Sequence, residues 1–250
     1  MLPLFSADGR AALQATMRGA PLLGFDFDGT LASIVDRPEA ARVAPGLSRR
    51  LARLAQRWPV AVLSGREVSD VSPRLGFHPQ FLVGNHGAES GSRAASPIDT
   101  RAMRRLRHVL ARNAAALAAA GVAIEDKHLS VALHYRRAPH MAAALQCIDA
   151  VLGTLDPALR RFGGKCVVNV VSAQAPDKAD ALWSLLRQCA AATAVYVGDD
   201  VNDEPVFERA GTDWLTIHVG HEPMATSKAR YRIDFQAAVA DLVEAMLALG

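Results

Sequence analysis

The sequence predicts an α/β fold in which a parallel sheet is covered by helices on both faces and a smaller α+β unit is inserted into it. Three observations carry this. Short apolar runs of strand type alternate with amphipathic helical stretches over 21–84 and again over 178–249. Between these halves the texture changes to an alanine- and arginine-rich helical stretch followed by hairpin-like segments. Several apolar runs also end in small, acidic or hydroxyl residues, at the carboxyl ends where open parallel sheets bind ligands.

In chain order, PLLGFDF (21–27) reads as a strand. PGLSRRLARLAQRW (45–58) reads as a helix, with Leu47, Leu51, Leu54 and Trp58 at helical spacing and Pro45 near its start. VAVLS (60–64) is a second strand, EVSDVSPRL (67–75) a short helix and QFLVG (80–84) a third strand. GSRAASPIDT (91–100) is small and polar, as a linker would be. A long Ala/Arg helix follows from about 100 to 120, then two strands with a turn near Lys127 (122–136), a helix at 138–152 and a strand pair at 158–171. The alternation then resumes: helix 178–191, strand 194–198, helix 202–210, strand 214–220 and a closing helix 236–249. The expected organisation is a catalytic core of 1–91 and 173–250, with an inserted α/β cap of 92–172.

The 250 residues suffice for one large domain or two modest ones, and 50% hydrophobic with 21% charged residues is ordinary for a globular chain. A net charge of +3 is too slight for nucleic acid and suits a small anionic substrate. Cys147, Cys166 and Cys189 show no metal-ligand spacing and read as reduced and mostly buried. No stretch reaches the roughly 20 apolar residues of a membrane span, and MLPLFSADGR lacks the order of a signal peptide. The expectation is a cytoplasmic protein without membrane or nucleic-acid partners, active as a monomer.

The strand ends carry the chemistry. The first delivers DFDGT with Asp26 and Asp28, the second SGR with Ser64 and Arg66, and a later one GDDVND with Asp199, Asp200 and Asp203; APDK places Lys178 at the start of a helix. Crowded carboxylates raise one another's pKa values unless a cation is present. Mg²⁺ takes one or two carboxylates together with waters and a substrate phosphate. A carboxylate can attack phosphorus, and a second one nearby can protonate the departing oxygen and then activate water. Singly, each piece has an ordinary explanation: a helix cap or turn for the aspartates and Ser64, a solvated lysine for Lys178. GDDVNDE also fails the EF-hand spacing. All four pieces in this order make the ordinary explanations untenable together.

DFDGT, SGR, the lysine before a helix and GDDVND resemble, in order, the four motifs of the haloacid dehalogenase superfamily, whose core is Rossmann-like. The resemblance implies Asp26 as nucleophile and Asp28 as general acid/base, with Ser64 and Lys178 steadying the phosphoryl group. It further implies Mg²⁺ held by the Asp26 and Asp199 carboxylates and the Asp28 carbonyl, with Asp200 or Asp203 in support. Ala179 stands where many relatives have glycine.

An insert between the third strand and the lysine would cap the site, exclude water and contribute side chains to the leaving group. In EDKHLSVALHYR (125–136), Ser130, Ala132 and His134 face one way, so that Lys127, His134 and Arg136 would point donors at sugar hydroxyls; the ordinary reading is a solvated strand face. With DGTLASIV (28–35), GNHGAE (84–89), GDDVNDEPVF and ATSKARYRI (225–233), this block is similar to the trehalose-6-phosphate phosphatase family along nearly the whole chain. That similarity implies hydrolysis of trehalose 6-phosphate with Mg²⁺, and disaccharide contacts from Arg66, Glu89, Lys127, His134 and Arg136. At Asn169 the family usually has a glutamate, within a Glu-x-basic-Pro pattern; here the chain reads Asn169-Val170-Val171-Ser172. An amide has one acceptor and one donor group where a carboxylate has two acceptors, which would alter recognition of one sugar. The competing readings are a phosphatase of another sugar phosphate such as sucrose phosphate, a sugar-phosphate sensor without turnover, and a two-component receiver domain. The intact Asp26, Asp28, Ser64, Lys178 and Asp199 set argues against the sensor, and the inserted unit argues against the receiver.

Overall fold

The chain divides into two compact units, Met1–Arg93 with Pro176–Gly250 and Ala94–Ala175. The computed structural model describes residues 1–35, 37–90, 100–153, 155–220 and 227–249. The linker read at 91–100 and the first two residues of ATSKARYRI therefore lie outside the described residues, the former but for Thr100.

The first unit begins with β1 (Leu2–Pro3), α1 (Ala7–Arg18), β2 (Leu22–Asp26), α2 (Pro45–Leu54), β3 (Val60–Leu63), α3 (Val68–Leu75), β4 (Phe81–Gly84) and β5 (Glu89–Ser90). The second unit comprises α4 (Thr100–Arg112), α5 (Ala114–Ala119), β6 (Ala123–Asp126), β7 (Ser130–His134), α6 (Met141–Leu152), β8 (Leu159–Gly164) and β9 (Val167–Ser172). The first unit then resumes with α7 (Lys178–Gln188), β10 (Ala194–Gly198), α8 (Glu204–Glu208), β11 (Leu215–Val219), β12 (Tyr231–Ile233) and α9 (Val239–Leu247).

The sheet of the first unit runs β1-β12-β11-β10-β2-β3-β4-β5, parallel throughout except for β5 at its edge. Every residue of β2, β3, β10 and β11 is buried, which is why β3 and β10 read as continuous apolar runs, while β11 alternates with the buried polar Thr216 and His218. One face packs Phe25, Val62, Val195 and Ile217 with the inner sides of α1, α2 and α9. The other packs Leu22, Leu63 and Tyr196 with Leu182 and Leu185 of α7 and Phe207 of α8. From β2 the chain moves outward through β3 and β4; from β10 it moves outward the opposite way through β11 and β12. The strand order therefore reverses between β2 and β10, the switch point at which such sheets open a crevice.

The second unit is an antiparallel sheet, β6-β7-β9-β8. Val131, Leu133, Val168 and Val170 on one face pack with Ala102, Leu106, Leu117 and Ile148 of α4, α5 and α6. Cross-strand register aligns Glu125, Ala132, Asn169 and Phe162 in a row on the opposite face.

Four expectations are corrected. The helix read over 100–120 is two helices broken at Asn113, whose side-chain Nδ2 donates to the Val109 carbonyl at 2.8 Å and so competes with the helical ladder. The closing helix begins only at Val239, after a 3₁₀ turn at Gln236–Ala238. β1, α1 and β12 were not anticipated; α1 is capped by Ser6, whose oxygen accepts the Gly9 N–H. The three free cysteines are half-buried rather than buried.

Candidate active site

The crevice is floored by the carboxyl ends of β2, β3 and β10. Asp26 is the last residue of β2 and pairs in register with Leu63, so Ser64 follows directly on the neighbouring strand. On the other side Val197 pairs with Phe25, which brings Asp199 to the same rim. After Asp26 the chain folds over in a tight turn, with Leu31 and Ala32 both donating to the Phe27 carbonyl. Gly29 in that turn has φ +85°, and a Cβ there would lie 1.9 Å from Asp199 Oδ2, so the Asp199 carboxylate rests directly against DFDGT.

Lys178 is the first residue of α7. Asp177 caps the helix, accepting from the Asp180 N–H at 2.9 Å, while Asp180 Oδ2 accepts from the Asp177 N–H at 3.1 Å. Arg209 donates to both carboxylates of this box. The fully buried Lys178 ammonium donates to Asp26 Oδ1 at 2.5 Å, Asn202 Oδ1 at 2.5 Å and Asp203 Oδ1 at 2.7 Å. Burial opposes its charge, but Asp203 and Asp26 together outweigh burial and hold its pKa above the ordinary lysine value. For Asp26, burial is the largest influence and pushes its pKa up; Lys178 pulls it down, Asp203 and Asp199 push it up again, and the carboxyl ends well above the ordinary range.

Asp203 is committed elsewhere. Its Oδ1 accepts from Lys178 and from the Tyr196 hydroxyl at 2.7 Å, and its Oδ2 accepts the Asp199 and Asp200 N–H groups at 3.0 Å each. Asp200 accepts the Val201 N–H at 2.8 Å and caps the short turn that leads into α8. Among the described residues, Asp26, Asp199 and Asp203 each present a carboxylate oxygen within 4.8 Å of the others, and all three are buried. An all-oxygen cluster of this charge, with one lysine against it, fits a hard divalent cation. The side chains of Asp28 and Asp200 lie outside this cluster.

Asp28 faces Arg66 instead, through a two-pronged contact: Nε to Oδ2 at 2.7 Å and Nη2 to Oδ1 at 2.8 Å. Ser64 is buried, and its hydroxyl accepts the Arg66 N–H at 3.1 Å. Glu89 Oε2 accepts the Val68 N–H opening α3 at 3.0 Å and the Asn85 Nδ2 at 2.9 Å. In the second unit, Glu125 Oε2 stands 2.8 Å from His134 Nε2 and 3.3 Å from Lys127 Nζ. Burial raises the Glu125 pKa, but His134 and Lys127 prevail and hold it down at about 2. Arg136 donates to the Lys165 carbonyl at 3.1 Å. Asn169 lies in register with Ala132, which itself pairs with Glu125. The sequence reading missed Glu125, Asn202 and Tyr196; the E-x-K spacing ahead of Ser130 was the one available signal, and only for Glu125.

The trehalose-phosphatase family profile matches residues 24–237. The chain belongs to the trehalose-phosphatase family. It is 38% identical over 251 aligned positions to a trehalose-phosphate phosphatase of Mycolicibacterium paratuberculosis, covering 90% of this chain and 61% of that protein. The chain thus spans about three fifths of the length of the curated relatives it matches. In fold it is similar to the C-terminal domain of Candida albicans trehalose-6-phosphate phosphatase, with a TM-score of 0.83 at 20% identity over 100% of this chain and 99% of that one. It is also similar to a sugar phosphatase of haloacid dehalogenase subclass IIB, with a TM-score of 0.63 at 15% identity over 92% and 99%. The trehalose-phosphatase fold is thus a haloacid dehalogenase core with an inserted α+β domain. Among the described residues no helix is long and apolar enough to cross a membrane.

Proposed function

We propose that the protein hydrolyses trehalose 6-phosphate to trehalose and inorganic phosphate with Mg²⁺, through an aspartyl-phosphate on Asp26. The observation that carries the reading is the Lys178 ammonium 2.5 Å from Asp26 Oδ1, beside Asp199 and Asp203, at the reversal of strand order. Family membership supports the substrate.

Asp26 and Asp199, with the Asp28 carbonyl, would hold the cation; the four donors on Asp203 support an orienting role for it, and the capping contacts of Asp200 support the same. When bound, the cation neutralises charge on the phosphoryl oxygens and favours ionised Asp26. An Asp26 oxygen bonds to phosphorus as the bond from phosphorus to the sugar oxygen breaks, and Asp28 gives that oxygen its proton. A water then gives a proton to Asp28 as its oxygen bonds to phosphorus; the Asp26–phosphorus bond breaks and inorganic phosphate leaves. Lys178 and Ser64 hold the phosphoryl oxygens, and the inserted domain, as a cap, recognises the sugar through Lys127, His134, Arg136 and Asn169. Arg66 and Glu89 serve the core side. The free thiols suit the reducing cytoplasm.

The test is phosphate release over a panel of sugar phosphates including sucrose 6-phosphate and glucose 6-phosphate. Trehalose 6-phosphate is expected to turn over fastest, with activity lost in EDTA and restored by Mg²⁺. Release from none of them, or full activity in chelator, overturns the reading.

A further inference from the structure

The two-pronged contact of Arg66 engages both oxygens of Asp28, and such a fork fixes a carboxylate as well as binding it. An Asp28 oxygen that turns to a substrate oxygen gives up a charge-assisted hydrogen bond to Arg66. The remaining nitrogen, Nη1, donates to Asp70 Oδ2 at 2.9 Å. Asp70 is itself held by Arg74, whose Nη2 and Nε reach Asp70 Oδ1 at 2.5 and 3.1 Å. Arg74 also reaches the Asp70 carbonyl at 2.8 Å and the Glu39 carbonyl. Arg66 stands just ahead of α3, and Asp70 and Arg74 follow it at four-residue steps within the helix. Beneath the guanidinium lies the ring of the buried Phe27, 5.6 Å from Arg66 Cζ, a flat floor over which it can turn.

We propose that Asp70 is a positioning residue: anchored by Arg74, it retains the Arg66 guanidinium while Asp28 turns to the substrate oxygen. The inference rests on the reading of Asp28 as the group that exchanges protons with the leaving oxygen and with water. With Asp70 neutralised, Arg66 keeps Asp28 as its carboxylate partner and releases it less readily. The steps that need Asp28 slow, and the step that does not need it is spared.

Single-turnover release of p-nitrophenolate from p-nitrophenyl phosphate, with enzyme in excess and Mg²⁺ present, reads the first half-reaction alone, because this leaving group needs no proton. In Asp70→Asn that rate is expected within about twofold of the parent enzyme, while kcat for trehalose 6-phosphate falls about tenfold and its KM moves less than about threefold. In an Arg66→Gln background the same substitution is expected to add nothing further. Equal loss of both rates, an unchanged kcat, or a raised KM with kcat intact overturns the proposal. Should Asn compromise folding, Asp70→Ser keeps an acceptor in the first helical turn and gives the same measurement. A parent enzyme that releases neither p-nitrophenolate nor phosphate overturns the underlying phosphatase reading; a competent parent with an indiscriminately damaged variant overturns the positioning role alone.

Discussion

Gly29 joins two distant motifs without any side chain of its own. Its left-handed φ would cost a residue bearing a Cβ about 1–2 kcal/mol, and that Cβ would also displace the Asp199 carboxylate. Gly29→Ala is therefore expected to destabilise the fold by at least that amount in chemical denaturation. Phosphate release is expected to fall about a hundredfold, the scale associated with a misplacement of about 1 Å. A variant with parental turnover would show that Asp199 can move without consequence. Asp26, Ser64, Lys178 and Asp199 were legible in the sequence because each sits at the end of an apolar run or at the start of a helix, where position along the chain fixes position at the rim. Tyr196, Asn202 and Asp70 were not, because their roles depend on which way a side chain points once the strands and helices are packed. Glu89 was also named from the sequence, but not the two donors, the first N–H of α3 and Asn85 Nδ2, that its Oε2 accepts.

In the hairpin of β6 and β7, Glu125 is brought alongside His134 and Lys127, and its pKa is depressed from 4.5 to about 2. A carboxylate whose folded value lies below its unfolded one adds stability that is fully present above pH 4.5 and is lost as the pH falls towards 2. Glu125→Gln is accordingly expected to melt lower than the parent at pH 6, with the difference shrinking as the solution is acidified to pH 3. A difference that stays constant over that range would remove Glu125 from the ion pair. At this scale β10 was read from the sequence to the residue, since a fully buried strand leaves an uninterrupted apolar run bounded by glycine. The division of α4 from α5 was not, because the arginine-rich sequence before Asn113 and the alanine-rich sequence after it both favour helix, and the break shows only in the side-chain contact of Asn113 with the Val109 carbonyl. α1 escaped notice because Gly9 and a polar first turn obscure its period, although Leu13 and Met17 bury against the sheet.

Across the whole molecule, the described core gathers three buried carboxylates, Asp26, Asp199 and Asp203, two of them paired with the buried Lys178. A ligand that binds the folded state alone stabilises it by about 2.7 kcal/mol at a hundredfold excess over its Kd. Mg²⁺ is therefore expected to raise the melting temperature by about 5–11 °C. Asp199→Asn is expected to lose most of that rise, and an equal rise in that variant would place the cation elsewhere. The parallel sheet and the interruption by an α+β unit were legible, because alternation and composition register at this scale, whereas the reversal of strand order was not, because alternation does not say which strands are neighbours. The edge pairing of β1 with β12 was not, since two short strands from opposite ends of the sequence carry too little pattern to announce that they meet.

The carboxylate of Asp203 collects its four donors from a strand, a helix and its own loop, and the helix donor also grips Asp26. No subset of those segments reproduces the arrangement. On the function proposed above, a chain in which α7 has not yet packed beside β10 and its following loop would lack this arrangement and release no phosphate.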